Sequence, residues 1–251
     1  MMNIESFTFQ NMTGLSLSAR IYSPVVPSEK GVIFSHGLFS SKDGYKIRKM
    51  AEGIVNCGYT LMTFDFTFAG ESPGNIADIS VLEEVNDLVS AIKFFRGRGI
   101  TGLHLMGSSM GAAVSLLAAA ESDDKFESLI LIATPLDLLG IIPGMTPEKV
   151  DMLEPDGYTI VQGIKLKNSF FREIKNIDMA GAVRRISSPV ILFHGGMDEV
   201  VKFSNHEIFM KNIKSDAHPF IIADGDHNLT RESDIEFMLQ KISGWLGRFN
   251  D

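Results

Sequence analysis

Residues 103–113 read Leu103-His104-Leu105-Met106-Gly107-Ser108-Ser109-Met110-Gly111-Ala112-Ala113, an apolar run that meets G-x-S-x-G and continues into an Ala-rich stretch. A short apolar run closed by glycine suits a buried strand, and an Ala-rich run suits a helix. The chain must therefore turn sharply at Ser109. Gly107 and Gly111 fit such a turn because a side chain at either place would collide with the neighbouring strand or helix. Held in a strained backbone there, Ser109 would lift its Oγ clear of the sheet. The same residues also suit a serine that caps a helix N-terminus, so the rest of the chain has to decide.

The flanking pattern alternates strand and helix. Residues 5–11 and 15–22 alternate apolar with polar side chains around Asn11-Met12-Thr13-Gly14, which predicts an antiparallel hairpin with one wet face. Nearly all-apolar runs at 31–35, 60–66, 103–106, 128–133 and 189–193 are of the kind that fills a parallel sheet. Between them, helical spacing predicts helices over 45–56, 81–95 and 110–120, then a helix at 205–213, a strand at 219–223 and a last helix at 234–249. This order implies an α/β fold, a sheet covered by helices on both faces. Periodicity weakens over 137–182, where Pro143, Gly144, Pro147, Pro155, Gly157 and Gly163 interrupt the chain. A structureless loop that long is improbable in a compact domain, so this stretch is expected to be a small lid of a hairpin and one or two helices. The expected layout is one structural domain, with core segments 1–136 and 183–251 around the 137–182 lid insertion.

Composition narrows the partners. A net charge of −8, with Lys and Arg scattered, excludes the basic stripe that nucleic acid needs. No run approaches a membrane span, and Cys57 alone can form no internal disulfide or thiolate metal site. Residues 1–6 lack the charged and apolar regions of a signal peptide, so a cytoplasmic location is expected.

In parallel α/β sheets, functional groups collect in the loops beyond the carboxyl ends of the strands. That rule selects His36-Gly37-Leu38-Phe39, the 65–74 loop, Ser109, His194-Gly195-Gly196-Met197-Asp198-Glu199 and Asp224-Gly225-Asp226-His227-Asn228. A serine, an acid and a histidine each follow a strand, in that order. With these residues the whole chain resembles the α/β-hydrolase family. The resemblance implies an eight-stranded, mostly parallel sheet flanked by helices and bearing a small inserted lid. It also implies a catalytic triad in which Gly107–Gly111 matches the nucleophile elbow, Gly196-Met197-Asp198 the acid loop, Asp226-His227 the histidine loop, and His36-Gly37 the oxyanion-loop motif.

Acyl-transfer chemistry then assigns roles. A serine hydroxyl is a poor nucleophile near neutral pH and needs a base such as the imidazole of His227 within hydrogen-bond reach. Asp198 would fix the imidazole tautomer, with Glu199 as the alternative acid. Backbone N–H groups of Leu38 and Met110 would hold the oxyanion. His36 and His194 are expected to brace loops, and Asp226 to hold its own. No metal or organic cofactor is called for.

The 65–72 segment, Asp65-Phe66-Thr67-Phe68-Ala69-Gly70-Glu71-Ser72, resembles a loop of lid-bearing esterases, lipases and peptidases, departing at Phe68, where glycine is common. The insertion resembles the short lid of cinnamoyl-type carboxylesterases around 163–171. Phe39, Met152, Tyr158, Phe170 and Phe171 are expected to contact substrate and favour an apolar or aromatic acyl group, although the lid residues suit packing against the body equally well. The expectation is a serine carboxylesterase acting on small-molecule esters. The same triad also suits a thioesterase, a monoacylglycerol lipase or an aminopeptidase, and the scaffold alone suits a non-catalytic binding module.

Overall fold

A computed structural model describes residues 2–250. Eight strands form one sheet: β1 (Met2–Gln10), β2 (Ser16–Pro24), β3 (Lys30–Ser35), β4 (Thr60–Phe64), β5 (Gly102–Ser108), β6 (Ser128–Ile132), β9 (Val190–Gly195) and β10 (Ala217–Ile222). Their spatial order is β1-β2-β4-β3-β5-β6-β9-β10. The β1–β2 hairpin pairs antiparallel, and β2 runs antiparallel to β4. From β4 through β10 every pairing is parallel. The eight-stranded, mostly parallel sheet implied by the family resemblance is the one observed.

The apolar runs are continuous because both faces of the sheet are buried, and successive side chains feed opposite cores. Ile33, Leu105, Leu129 and Leu131 point to one core, which is covered by α2 (Val81–Gly97) and α3 (Met110–Glu121). Val32, Phe34, Met106, Ile130 and Ile132 point to the other, covered by α1 (Tyr45–Asn56) and α8 (Glu232–Leu246). Both layers place their loops at the carboxyl edge of the parallel strands.

The stretch between β6 and β9 forms α4 (Pro147–Met152), a two-stranded hairpin of β7 (Tyr158–Val161) and β8 (Ile164–Lys167), α5 (Asn168–Asn176) and α6 (Met179–Arg185). A seventh helix, α7 (Ser204–Asn212), follows β9. Helix α6 packs against α3 and α7, while α4 and α5 pack on each other and α5 reaches α2. The hairpin tip, Gln162-Gly163, carries positive φ at both residues, and it hangs over the carboxyl edge of the sheet. Among the described residues no helix is long and apolar enough to cross a membrane.

Candidate active site

Strand β5 ends at Ser108 and α3 begins at Met110, so Ser109 alone makes the turn, with φ 54° and ψ −124°. Such backbone is costly for a residue with a Cβ and persists only where the surroundings enforce it. The enforcement is visible. The Ser109 N–H donates to the Ile132 carbonyl at 2.8 Å, pinning the turn to β6. A Cβ on Gly111 would run into the carbonyl oxygens of Ser35 and His36, and one on Gly107 would lie 2.6 Å from Ala112 Cα. The two glycines therefore let α3 press against β3 and β5, which is what thrusts Ser109 outward.

Two loops meet the serine. His227 lies in the loop after β10, and its Nε2 is 2.9 Å from Ser109 Oγ. Its Nδ1 is 2.9 Å from Asp198 Oδ2 in the loop after β9. The other oxygen of Asp198 accepts the N–H groups of Val200 and Val201 at 2.9 and 2.8 Å. Burial by itself would raise the Asp198 carboxyl. The hydrogen bonds and charge of His227, with the two backbone donors, outweigh burial and hold the group below its usual range, ionised near neutral pH. An ionised acceptor at Nδ1 places the imidazole proton there and leaves Nε2 to accept from the serine hydroxyl. Glu199, the alternative acid, makes no such contact, and Asp226 instead accepts the Leu229 N–H at 2.8 Å within its own loop.

Bracing of these loops falls to other histidines. His36 donates from Nδ1 to the Gly37 carbonyl at 2.9 Å, and its Nε2 accepts the Phe66 N–H at 3.4 Å. His194 donates from Nε2 to the Val201 carbonyl at 2.9 Å. Burial lowers both pKa values, so both rings are neutral. Among the described residues no acceptor is seen for the N–H of Leu38 or of Met110, at the start of α3. The 37–44 segment carrying Leu38 is anchored by Lys42, whose Nζ lies 3.0 Å from Asp65 Oδ2 and 2.6 Å from Glu71 Oε2. Burial would lower the Lys42 pKa, but its bonds to Glu71 and Asp65 raise it, so the ammonium stays charged.

A cavity of about 470 Å³ opens over Ser109 and His227. Leu38, Phe39, Ile141, Ile142 and Val161 give it apolar wall, and Ser40, Ser41, Lys46, Ser108, Asn228 and Thr230 give it polar wall. No group of three or more His, Cys, Asp or Glu side chains among the described residues is arranged to hold a metal ion.

The fold finds counterparts in known proteins. Residues 27–150 match the family model for serine aminopeptidase, S33. The palmitoyl-protein thioesterase ABHD10, mitochondrial, of Mus musculus is 26% identical over 98% of this chain and 84% of its own. The chain has the α/β-hydrolase fold. Other relatives include the monoglyceride lipase homolog of Monkeypox virus, 24% identical over 94% of this chain and 96% of its own. Est1E from Butyrivibrio proteoclasticus, solved with ferulic acid bound, shares the fold at a TM-score of 0.82 and 21% identity, covering 96% of this chain and 98% of that one.

Four residues expected to contact substrate do not reach the cavity. Phe170 and Phe171 are buried against each other, ring centroids 5.3 Å apart, in the core beneath α5. They pack the insertion onto the body. Met152 is 80% exposed at the end of α4, and Tyr158 is exposed with Lys165 Nζ 4.1 Å over its ring. Of that set only Phe39 lines the cavity. Its insertion-side wall comes instead from Ile141, Ile142, Val161 and Gln162, which lie in an irregular turn and at the hairpin tip, where no periodicity marks an inward face.

Phe68, the departure from the resembled loop, has φ 76°. This is the left-handed region that glycine enters without cost. The phenylalanine keeps the glycine conformation, tied by its N–H to the Pro73 carbonyl at 2.9 Å and packed against the core.

Proposed function

We propose that this α/β hydrolase cleaves carboxylic esters through an acyl-enzyme formed on Ser109, with His227 as general base and Asp198 as its orienting acid. The observation that carries this reading is the unbroken chain of hydrogen bonds, Ser109 Oγ to His227 Nε2 and His227 Nδ1 to Asp198 Oδ2, each 2.9 Å, ending at a strained serine in a cavity wall.

In the proposed reaction Ser109 Oγ attacks the ester carbonyl while its proton passes to His227 Nε2. Asp198 stabilises the resulting imidazolium. The carbonyl oxygen, now an oxyanion, takes the N–H groups of Leu38 and Met110. Collapse breaks the bond to the leaving alcohol, which receives the proton from Nε2. Water, deprotonated by the same imidazole, then attacks the acyl carbonyl and releases the acid with regeneration of Ser109. The steps use only the chain's own groups and water. The apolar wall of Leu38, Phe39, Ile141, Ile142 and Val161 suits the hydrocarbon of a small acyl group.

A second reading, thioester cleavage by the same steps, is favoured by relatives that bear the name palmitoyl-protein thioesterase. Turnover of an acetyl ester and the matching thioester by wild type, Ser109→Ala, His227→Ala and His36→Ala tests both. Loss of about 10³-fold or more in kcat is expected for the first two variants, with measurable activity left in the third. Wild-type rates in His227→Ala would overturn the choice of base.

A further inference from the structure

Lys46 stands in the cavity wall without an ionic partner. It occupies the first turn of α1, and its Nζ donates to Ser108 Oγ at 2.9 Å and to the Asn228 main-chain carbonyl at 2.8 Å. These acceptors immediately precede Ser109 and follow His227. Both are neutral, and no carboxylate among the described residues pairs with this ammonium. An ammonium has three N–H donors, so one remains beyond these two bonds. Lys46 is only partly buried and lines the cavity, so a ligand held there can reach this remaining N–H.

The lining also divides by origin. The 40–46 segment, the elbow and the loop after β10 contribute Ser40, Ser41, Lys46, Ser108, Asn228 and Thr230. The insertion contributes mainly aliphatic side chains, Ile141, Ile142 and Val161. His227 belongs to the polar side, and a leaving group must sit against His227 Nε2 to take its proton. From these placements we infer that Lys46 binds a carboxylate carried on the leaving-group portion of the substrate, so that the preferred substrates are esters or thioesters of an acidic alcohol or thiol.

The inference rests on the ester-hydrolase reading above. A single negative charge fits better than a phosphate dianion, because the negative charges of Asp226, Asp198 and Asp234 are also felt at this lysine. Burial lowers its pKa to about 8, opposed by those three carboxylates, of which Asp234 is held by Arg231 and Asp198 by His227. The ammonium is therefore mostly charged at pH 7 and loses its proton as pH rises past about 8.

The test compares 3-acetoxybenzoate with its methyl ester, which share the acetyl group and differ in the charge of the leaving phenol. A charge-assisted hydrogen bond corresponds to roughly 10–100-fold in kcat/KM. Wild type at pH 7 should favour the carboxylate ester by about tenfold or more, and the preference should fade above about pH 8. Lys46→Met should collapse the ratio of the two kcat/KM values, and Lys46→Arg should keep most of it. The ratio cancels any general loss of activity or folding. No preference in wild type, or an equal loss on both esters in Lys46→Met, overturns the inference and leaves Lys46 as a clamp between the two loops. If wild type shows Ser109-dependent turnover of the methyl ester without a preference, only this inference falls. If neither ester is turned over, the hydrolase reading falls with it.

Discussion

Replacement of Lys42 by methionine tests how the 37–44 segment is held over the site. Lys42 is 2% exposed and Asp65 is fully buried, whereas Glu71 is 71% exposed. The magnitudes therefore separate by partner. An ion pair with an exposed carboxylate is worth about 0–1 kcal/mol, but stripping the partner from a buried carboxylate costs about 3–5 kcal/mol. Asp65 would keep two backbone donors, the Lys42 N–H at 2.6 Å and the Glu71 N–H at 2.9 Å, and lose its cation. Lys42→Met should thus be destabilised by about 3–5 kcal/mol, roughly 6–20 °C in Tm for a chain of this size. Glu71→Gln should leave stability close to that of wild type, because its carboxylate is screened by water. The double variant Lys42→Met with Asp65→Asn should regain part of the loss, because no buried charge is left. Urea unfolding followed by circular dichroism measures all of these. A loss below about 1 kcal/mol in Lys42→Met, the value of an exposed pair, would refute the reasoning.

Other consequences follow from single groups. Burial, with a smaller contribution from Lys30, pushes the His104 pKa down to about 3. The unfolded chain therefore takes a proton near pH 6.5 that the folded chain refuses, so stability is lost as pH falls below that point, by about 2 kcal/mol at pH 5. Denaturant titrations at pH 7 and pH 5 should show a shallower pH slope in His104→Gln than in wild type. Burial, reinforced by Asp87 and Glu173, pushes the Glu84 carboxyl well above its usual range. Its ionisation opposes folding as pH rises, so Glu84→Gln should gain stability over wild type at pH 8, with the gain shrinking toward pH 4. Gly111→Ala should cost more than about 4 kcal/mol or prevent soluble folding, because the new methyl meets main-chain carbonyls of Ser35 and His36 rather than flexible side chains.

The parts legible in the sequence are those governed by local pattern. The runs at 31–35 and 128–133 announced buried strands because both faces of the sheet are covered, and alternate residues do enter opposite cores. The elbow was legible because only glycine fits at 107 and 111, and its neighbours in sibling loops follow from strand order. Phe170 and Phe171 illustrate where pattern stops. An amphipathic helix declares that one face is apolar, but whether that face meets the cavity or the body is set by how α5 lies on α2. Lys46 carries no pattern of its own in the sequence, because its bonds reach residues 62 and 182 positions away. Lys42 and Asp65 are likewise joined only by the parallel pairing of β3 with β4.

We propose Ser109 as the nucleophile, activated by His227. A fluorophosphonate forms a stable phosphonyl ester with an activated serine, and intact-mass and peptide mass spectrometry locate it. One adduct per chain is expected, on the peptide containing Ser109, formed rapidly in wild type, abolished in Ser109→Ala and slowed at least about 10³-fold in His227→Ala. Equal labelling of wild type and Ser109→Ala, or no labelling of a folded wild-type protein, would contradict it.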